Sequence, residues 1–159
     1  MKAIFAGTFD PFTAGHRDIT ERALAVFGDV TVAVASDTGK SARPLDVRLN
    51  IAESATADLK GVTIEAFSGL LSDYLAKLGD CVIVRGVRNS RDAEYERDLV
   101  RVYRSLCGKD AVFFATSAEF EHVSSTTVRQ LAELGGALDG YVVPCTAQAI
   151  IKLYGKKAD

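Results

Sequence analysis

Ala3-Ile4-Phe5-Ala6-Gly7-Thr8-Phe9-Asp10-Pro11-Phe12-Thr13-Ala14-Gly15-His16 starts as a short apolar strand and ends in the first turn of a helix. Ala3–Ala6 is a continuous apolar run, the pattern of a strand buried on both faces. Gly7 and the Asp10-Pro11 pair then interrupt it, and positions 16–27 read as an amphipathic helix. The same unit recurs along the chain. Val30–Ala35, Val62–Phe67, Cys81–Val84 and Val112–Ala115 are further strand-like runs, and helical patterns fall near 46–59, 69–78, 91–107, 125–134 and 145–154. Asp92–Leu106 is the clearest helix, with Tyr95, Leu99, Val102 and Leu106 at i, i+4, i+7 and i+11 as its apolar stripe. Pro144 suits the first turn of the last helix. Five strand–helix alternations predict right-handed crossovers and a Rossmann-like α/β fold, a doubly wound parallel five-stranded sheet with helices on both faces. In such sheets ligands bind beyond the carboxyl ends of the strands, where the strand order reverses.

Composition agrees with one globular domain spanning 1–159. Apolar residues make up 48% and charged residues 25% of the chain, close to the globular average, and a chain this long buries roughly 68–70% of its unfolded surface. The 19 Lys and Arg against 21 Asp and Glu leave a net charge of −2, so the basic excess that nucleic-acid binding needs is missing. No apolar run approaches the ~18–20 residues of a membrane span, and the N-terminus lacks the apolar core of a secretory signal. Cys81, Cys107 and Cys145 are odd in number and widely spaced, which predicts free buried thiols in a cytoplasmic protein rather than a disulfide framework or a zinc site.

The segments after each strand carry the polar chemistry. Gly7 lets backbone approach a ligand, Thr8 offers a hydroxyl and an amide, and Gly15 leaves the N–H groups of the helix start open to an anion. Thr13 and His16 share one side of that first turn, where a histidine donates to a phosphoryl oxygen as charge builds on it; taken alone, His16 reads more readily as a surface or capping residue. Gly39-Lys40-Ser41 invites a P-loop reading, but that motif needs glycine at position 34, which is Val34. Lys40 is then a loop cation suited to bridging phosphates. Arg85 and Arg88 flank Gly86 just past the fourth strand and present donor forks matched to phosphate; salt bridging to Asp92 or Glu96 is the structural alternative. Ser124, Ser125, Thr126 and Thr127 exceed what one helix cap needs and are able to cradle a polyphosphate.

Three strings together, GTFDPFTAGH (7–16), RGVRNSRDAEYE (85–96) and SSTTVR (124–129), closely resemble the signatures of the phosphopantetheine adenylyltransferase family. That family belongs to the HxGH nucleotidyltransferases, in the variant with Thr in place of the first His. The resemblance runs from Met1 to about Leu153. It implies transfer of the adenylyl group of ATP to 4′-phosphopantetheine, giving 3′-dephospho-CoA and pyrophosphate, with His16, Lys40 and Arg88 catalytic. It implies an ATP site at Thr8, Phe9, His16, Gly86, Val87, Arg88, Glu96, Phe120, Glu121, His122, Val123, Ser124, Ser125 and Thr126, and a phosphopantetheine site at Thr8, Lys40, Leu71 and Arg85. Mg²⁺ is expected with ATP, held through phosphates and water rather than a protein cage, and a homohexamer follows from the resemblance alone.

Two other readings keep the same fold: another acceptor, such as nicotinamide mononucleotide or glycerol 3-phosphate, and a non-catalytic adenine-nucleotide sensor. The 85–96 string speaks against the first and the intact TxGH turn against the second. A nicotinamide-dependent oxidoreductase lacks its glycine fingerprint after the first strand, and no serine hydrolase triad is recognisable around His122.

Overall fold

The computed structural model describes residues 1–37 and 42–155. Its strands are β1 (Lys2–Gly7), β2 (Val30–Ala35), β3 (Val62–Phe67), β4 (Cys81–Val87) and β5 (Ala111–Ala115). Its helices are α1 (Ala14–Phe27), α2 (Leu45–Thr56), α3 (Leu71–Lys77), α4 (Ser90–Cys107), α5 (Ser125–Glu133) and α6 (Ala147–Tyr154), with 3-10 turns at Ala118–Phe120 and Pro144–Thr146. All strand pairs are parallel, in the order β3-β2-β1-β4-β5.

That order sets the layers. From β1 the chain steps outward to β2 and β3, then returns past β1 to β4 and β5. Right-handed crossovers running in opposite directions put their helices on opposite faces. Ala3 and Phe5 accordingly join Val32, Val34 and Val84 beneath α1, α2, α5 and α6, in a cluster that includes Ile19, Ile51, Val128 and Ile150. Ile4 and Ala6 point the other way, joining Ala33 and Ile83 against Leu75 of α3 and Tyr103 of α4.

Four expectations need correcting. Strand β4 runs on to Val87, because Arg85, Gly86 and Val87 pair with Phe113, Phe114 and Ala115 of β5, whereas β1 pairs with β4 only as far as Val84. Strands β3 and β5 are not buried on both faces, since edge position leaves alternate residues exposed. The apolar stripe of α4 faces outward: Tyr95, Val102 and Leu106 are exposed, and the helix packs instead through Val100 and Tyr103, one residue out of phase. Of the three free cysteines, Cys81 is buried, Cys107 half-buried and Cys145 exposed, on the turn ahead of α6.

Leu75, fully buried under the sheet, tests the smaller core layer. Leu75→Ala is expected to lower unfolding stability by about 2–5 kcal/mol, while Val26→Ala, on the exposed side of α1, stays within about 0.5 kcal/mol; urea unfolding of both variants checks the contrast.

Candidate active site

Because β4 outruns β1 at the point where the sheet reverses direction, the chain leaving β1 and the end of β4 part and leave a cleft of about 570 Å³. One wall is the loop from Thr8 to Thr13. It is held from below by Arg48 of α2, a fully buried guanidinium whose Nη1 donates to the carbonyls of Thr8 at 2.7 Å and Ala35 at 2.8 Å, while Nε donates to that of Arg43 at 2.8 Å. Phe9 lies in the left-handed region at φ 48°, a strained conformation for a bulky side chain. Its ring is packed edge-on against Phe5, and a Cβ at position 7 would meet that ring at 3.0 Å, which accounts for Gly7.

His16 sits in the first turn of α1, half-buried among three phenylalanines, with ring centroids 6.0 Å from Phe5, 5.0 Å from Phe9 and 5.4 Å from Phe12. Thr13 caps the helix. Its hydroxyl accepts from the His16 N–H at 3.3 Å, and its own N–H donates to His16 Nδ1 at 3.0 Å, a reciprocal capping box. With Nδ1 accepting, the neutral ring carries its proton on Nε2. Burial, reinforced by the Arg88 charge, lowers the His16 pKa from 6.5 to about 4. His16 is therefore a neutral donor at physiological pH, lining the cleft.

Three arginines line the cleft, each beside a carboxylate. Arg85 Nε lies 2.9 Å from Glu96 Oε2, though neither atom has an aligned hydrogen bond. Arg85 Nη1 donates to the Ala6 carbonyl at 3.1 Å, and its guanidinium lies 5.9 Å from the Tyr103 ring centroid. Burial, helped by Asp92, pushes the Glu96 carboxyl above its ordinary pKa against the pull of Arg85. Arg88 Nε donates to Asp92 at 2.8 Å, and Asp92 in turn is fixed by the Asn89 cap of α4 at 3.0 Å. Arg129 of α5 donates to the Asp10 carbonyl at 2.5 Å.

The far wall is the N-terminus of α5. Ser124 caps it, accepting from the Thr127 N–H at 3.0 Å, and the Ser125 hydroxyl donates to the Pro11 carbonyl at 2.8 Å, tying this wall to the β1 loop. The segment before it is moored to α1, where Asp18 accepts from the Ser117 hydroxyl at 2.9 Å. Gly86 presses against α1, since a Cβ there would meet Ile19 at 3.0 Å. Arginine forks, a neutral imidazole donor and a helix N-terminus facing one cleft make a site for a polyanion.

A model of the cytidylyltransferase-like family matches residues 4–131. The phosphopantetheine adenylyltransferase of Deinococcus radiodurans is 39% identical, across 100% of this chain and 97% of its own. That of Moorella thermoacetica is also 39% identical, across 96% and 97%. The chain belongs to the phosphopantetheine adenylyltransferase family. The fold extends further: Plasmodium falciparum nicotinic acid mononucleotide adenylyltransferase superposes with a TM-score of 0.68 at 13% identity, over 96% of this chain and 94% of that one.

Within this phosphopantetheine adenylyltransferase fold, most of the residues singled out in the sequence come together. Thr8, Phe9, His16, Arg85, Gly86, Arg88, Glu96, Phe120, Val123, Ser124, Ser125 and Thr126 all line the cleft. Val87 continues β4 beside them. Glu121 and His122 are exposed on the turn before α5, with the His122 ring 5.1 Å from that of Tyr141. Leu71 opens α3 and packs in the smaller core cluster, outside the cleft lining. Lys40 lies outside the described residues. The salt-bridge reading of the arginine pair is seen in the structure, with Arg85 beside Glu96 and Arg88 beside Asp92, and both side chains line the cleft. Sequence reasoning missed Asp10 and Arg129 as cleft residues and Arg48 as the clamp. The signal for Arg48 was its phase on α2, where it shares the inward face with Ile51, Ala52 and Ala55.

The state of His16 is directly measurable. The unfolded chain protonates this imidazole near 6.5 and the folded chain only near 4. His16 therefore subtracts stability as pH falls through that window and contributes none above it. Nitrogen-15 NMR is expected to show a neutral Nε2–H tautomer unchanged from pH 8 to 5, with assignment by His16→Gln; titration near 6.5 would contradict the buried geometry.

Proposed function

We infer that this chain is a nucleotidyltransferase of coenzyme A biosynthesis, joining ATP to 4′-phosphopantetheine to give 3′-dephospho-CoA and pyrophosphate. The observation that carries the reading is the cleft itself, in which a neutral His16 donor faces Arg85, Arg88 and the α5 N-terminus, in a chain 39% identical to a phosphopantetheine adenylyltransferase along its whole length.

An oxygen of the 4′-phosphate attacks the α-phosphorus of ATP, and the bond from that phosphorus to the bridging oxygen of pyrophosphate breaks. A phosphate monoester is already anionic, so no general base is needed. What the site supplies is alignment of two anions and stabilisation of charge on the transferring group. Arg85, with Thr8 and Lys40, orients the attacking phosphate, and the backbone at Leu71 meets the pantetheine arm. His16 Nε2–H donates to the α-phosphoryl oxygen as charge grows there. Burial matters because a charged imidazole would be spent on ground-state binding of either anion. Arg88, Ser125 and Thr126 hold the departing pyrophosphate. Phe9, Gly86, Val87, Glu96, Phe120, Glu121, His122, Val123 and Ser124 complete the ATP site. Mg²⁺ would enter with ATP as the MgATP complex, held through phosphate oxygens and water.

The test is pyrophosphate release from MgATP with 4′-phosphopantetheine, nicotinamide mononucleotide and glycerol 3-phosphate offered separately. Release only with the first, with dephospho-CoA found by mass, is expected; release only with another acceptor would refute the substrate. His16→Ala should lower kcat by about 10²–10³ with ATP affinity retained.

The chain further reads as one nucleotidyltransferase domain across 1–159, acting in the cytoplasm as a homohexamer. Among the described residues no helix is long and apolar enough to cross a membrane. The exposed stripe Tyr95, Val102 and Leu106 on α4 supports self-association, because such faces are normally covered. Light scattering should give six times the 17.0 kDa chain mass, and Val102→Glu with Leu106→Glu should reduce it; a monomeric wild type would refute the assembly.

A further inference from the structure

The last helix reaches the cleft through one hydroxyl. Tyr154 of α6 is buried, at 6% exposure, and its hydroxyl donates to Asp10 Oδ1. The backbone N–H of Arg43 approaches the same oxygen at 3.4 Å, and the Arg43 guanidinium lies 5.1 Å over the Tyr154 ring. Asp10, itself 7% exposed, lines the cleft opposite Arg129. An arginine this near a buried carboxylate ordinarily closes on it with two parallel bonds. Arg129 does not. Its Nη1 donates to the Asp10 backbone carbonyl and stands 4.0 Å from Oδ2, while Nη2 donates to Thr126 Oγ1 at 3.3 Å.

We propose that Tyr154 is a positioning residue for the polyphosphate end of the cleft: by holding Asp10 through Oδ1 it fixes the carboxylate so that Oδ2 stands 4.0 Å from Arg129 Nη1, short of a hydrogen bond, and the guanidinium stays turned along α5 toward a bound anion. The proposal rests on the reading of the α5 N-terminus as the triphosphate subsite. Burial and the Asp10 charge both raise the phenol pKa, so the hydroxyl remains a donor throughout the working range of pH. Tyr154 does not itself line the cleft; its effect passes through Asp10 to Arg129.

Tyr154→Phe removes the hydroxyl that holds the carboxylate in place and keeps the ring. Arg129 then closes on Asp10, and the KM for ATP is expected to rise about tenfold, the scale of one charge-assisted contact, with kcat and the KM for 4′-phosphopantetheine within about twofold of wild type. Adding Asp10→Asn to Tyr154→Phe removes the charge that captures Arg129 and is expected to bring the ATP KM back to within about threefold. An unchanged ATP KM in Tyr154→Phe overturns the proposal. So does a parallel loss in both substrates and kcat that Asp10→Asn does not relieve, since that marks a merely structural tyrosine. Calorimetric titration of inorganic pyrophosphate into wild type and Tyr154→Phe separates this claim from the reaction assigned above. A chain that makes no dephospho-CoA yet binds pyrophosphate about tenfold more weakly without the hydroxyl upholds Tyr154 and refutes the reaction. Equal pyrophosphate affinities refute the positioning role alone.

Discussion

Strand β1 pairs with β2 on one side and β4 on the other, and everything about the cleft depends on that double pairing. The crossovers leaving β1 and β4 depart in opposite directions, and among the described residues this leaves the gap between their carboxyl ends open. β4 then continues past its last contact with β1, because β5 supplies partners for Arg85, Gly86 and Val87. The arginine and glycine that a loop reading would leave mobile are thereby fixed on a rigid ladder at the edge of the opening. A rigid sheet edge holds donors to the tolerance that charge stabilisation requires, which a flexible loop does not.

The opposite wall has no such ladder and is held by side chains reaching backbone carbonyls. Arg48 ties the ends of β1 and β2 and the entry to α2 together through three acceptors, and Ser125 ties α5 to Pro11. These bonds satisfy carbonyls that irregular chain leaves without ladder partners, which is the condition for burying a loop at all. Arg48 is buried without a carboxylate partner among the described residues, so its charge is met by carbonyl dipoles. Asp10 has the complementary role, drawing Tyr154 and Arg43 beneath the cleft and Arg129 beside it.

The electrostatics of the cleft come from pairing and exclusion together. Arg85 and Arg88 are each pre-oriented by a neighbouring acid, Glu96 or Asp92, and Arg129 by the Asp10 backbone carbonyl, so each needs little ordering when an anion arrives. His16 is treated in the opposite way: wrapped in phenylalanine rings and held at Nδ1 by Thr13, it is kept uncharged. An uncharged donor gains strength as negative charge develops opposite it, whereas a fixed cation binds substrate and transition state more nearly alike.

The sequence by itself determined the alternation of strands and helices, the Rossmann-like class and the loops that carry chemistry, because apolar periodicity and turn residues are local signals. It also placed Thr8, His16, Arg85, Arg88, Glu96 and the Ser124–Thr126 run in one site, since short strings with fixed spacing keep their meaning without coordinates. Only the tertiary structure decided what depends on neighbours distant in the chain. The reach of β4 to Val87 is set by β5, and the packing face of α4 by what lies beneath it, which turned the apolar stripe of Tyr95, Val102 and Leu106 outward. The protonation of His16 is set by three rings, two of them on the loop before it and one on the strand. Arg48 and Tyr154 look like ordinary helix residues until the chain folds. One then clamps a loop 40 residues away, and the other, 144 residues from Asp10, takes hold of its carboxylate.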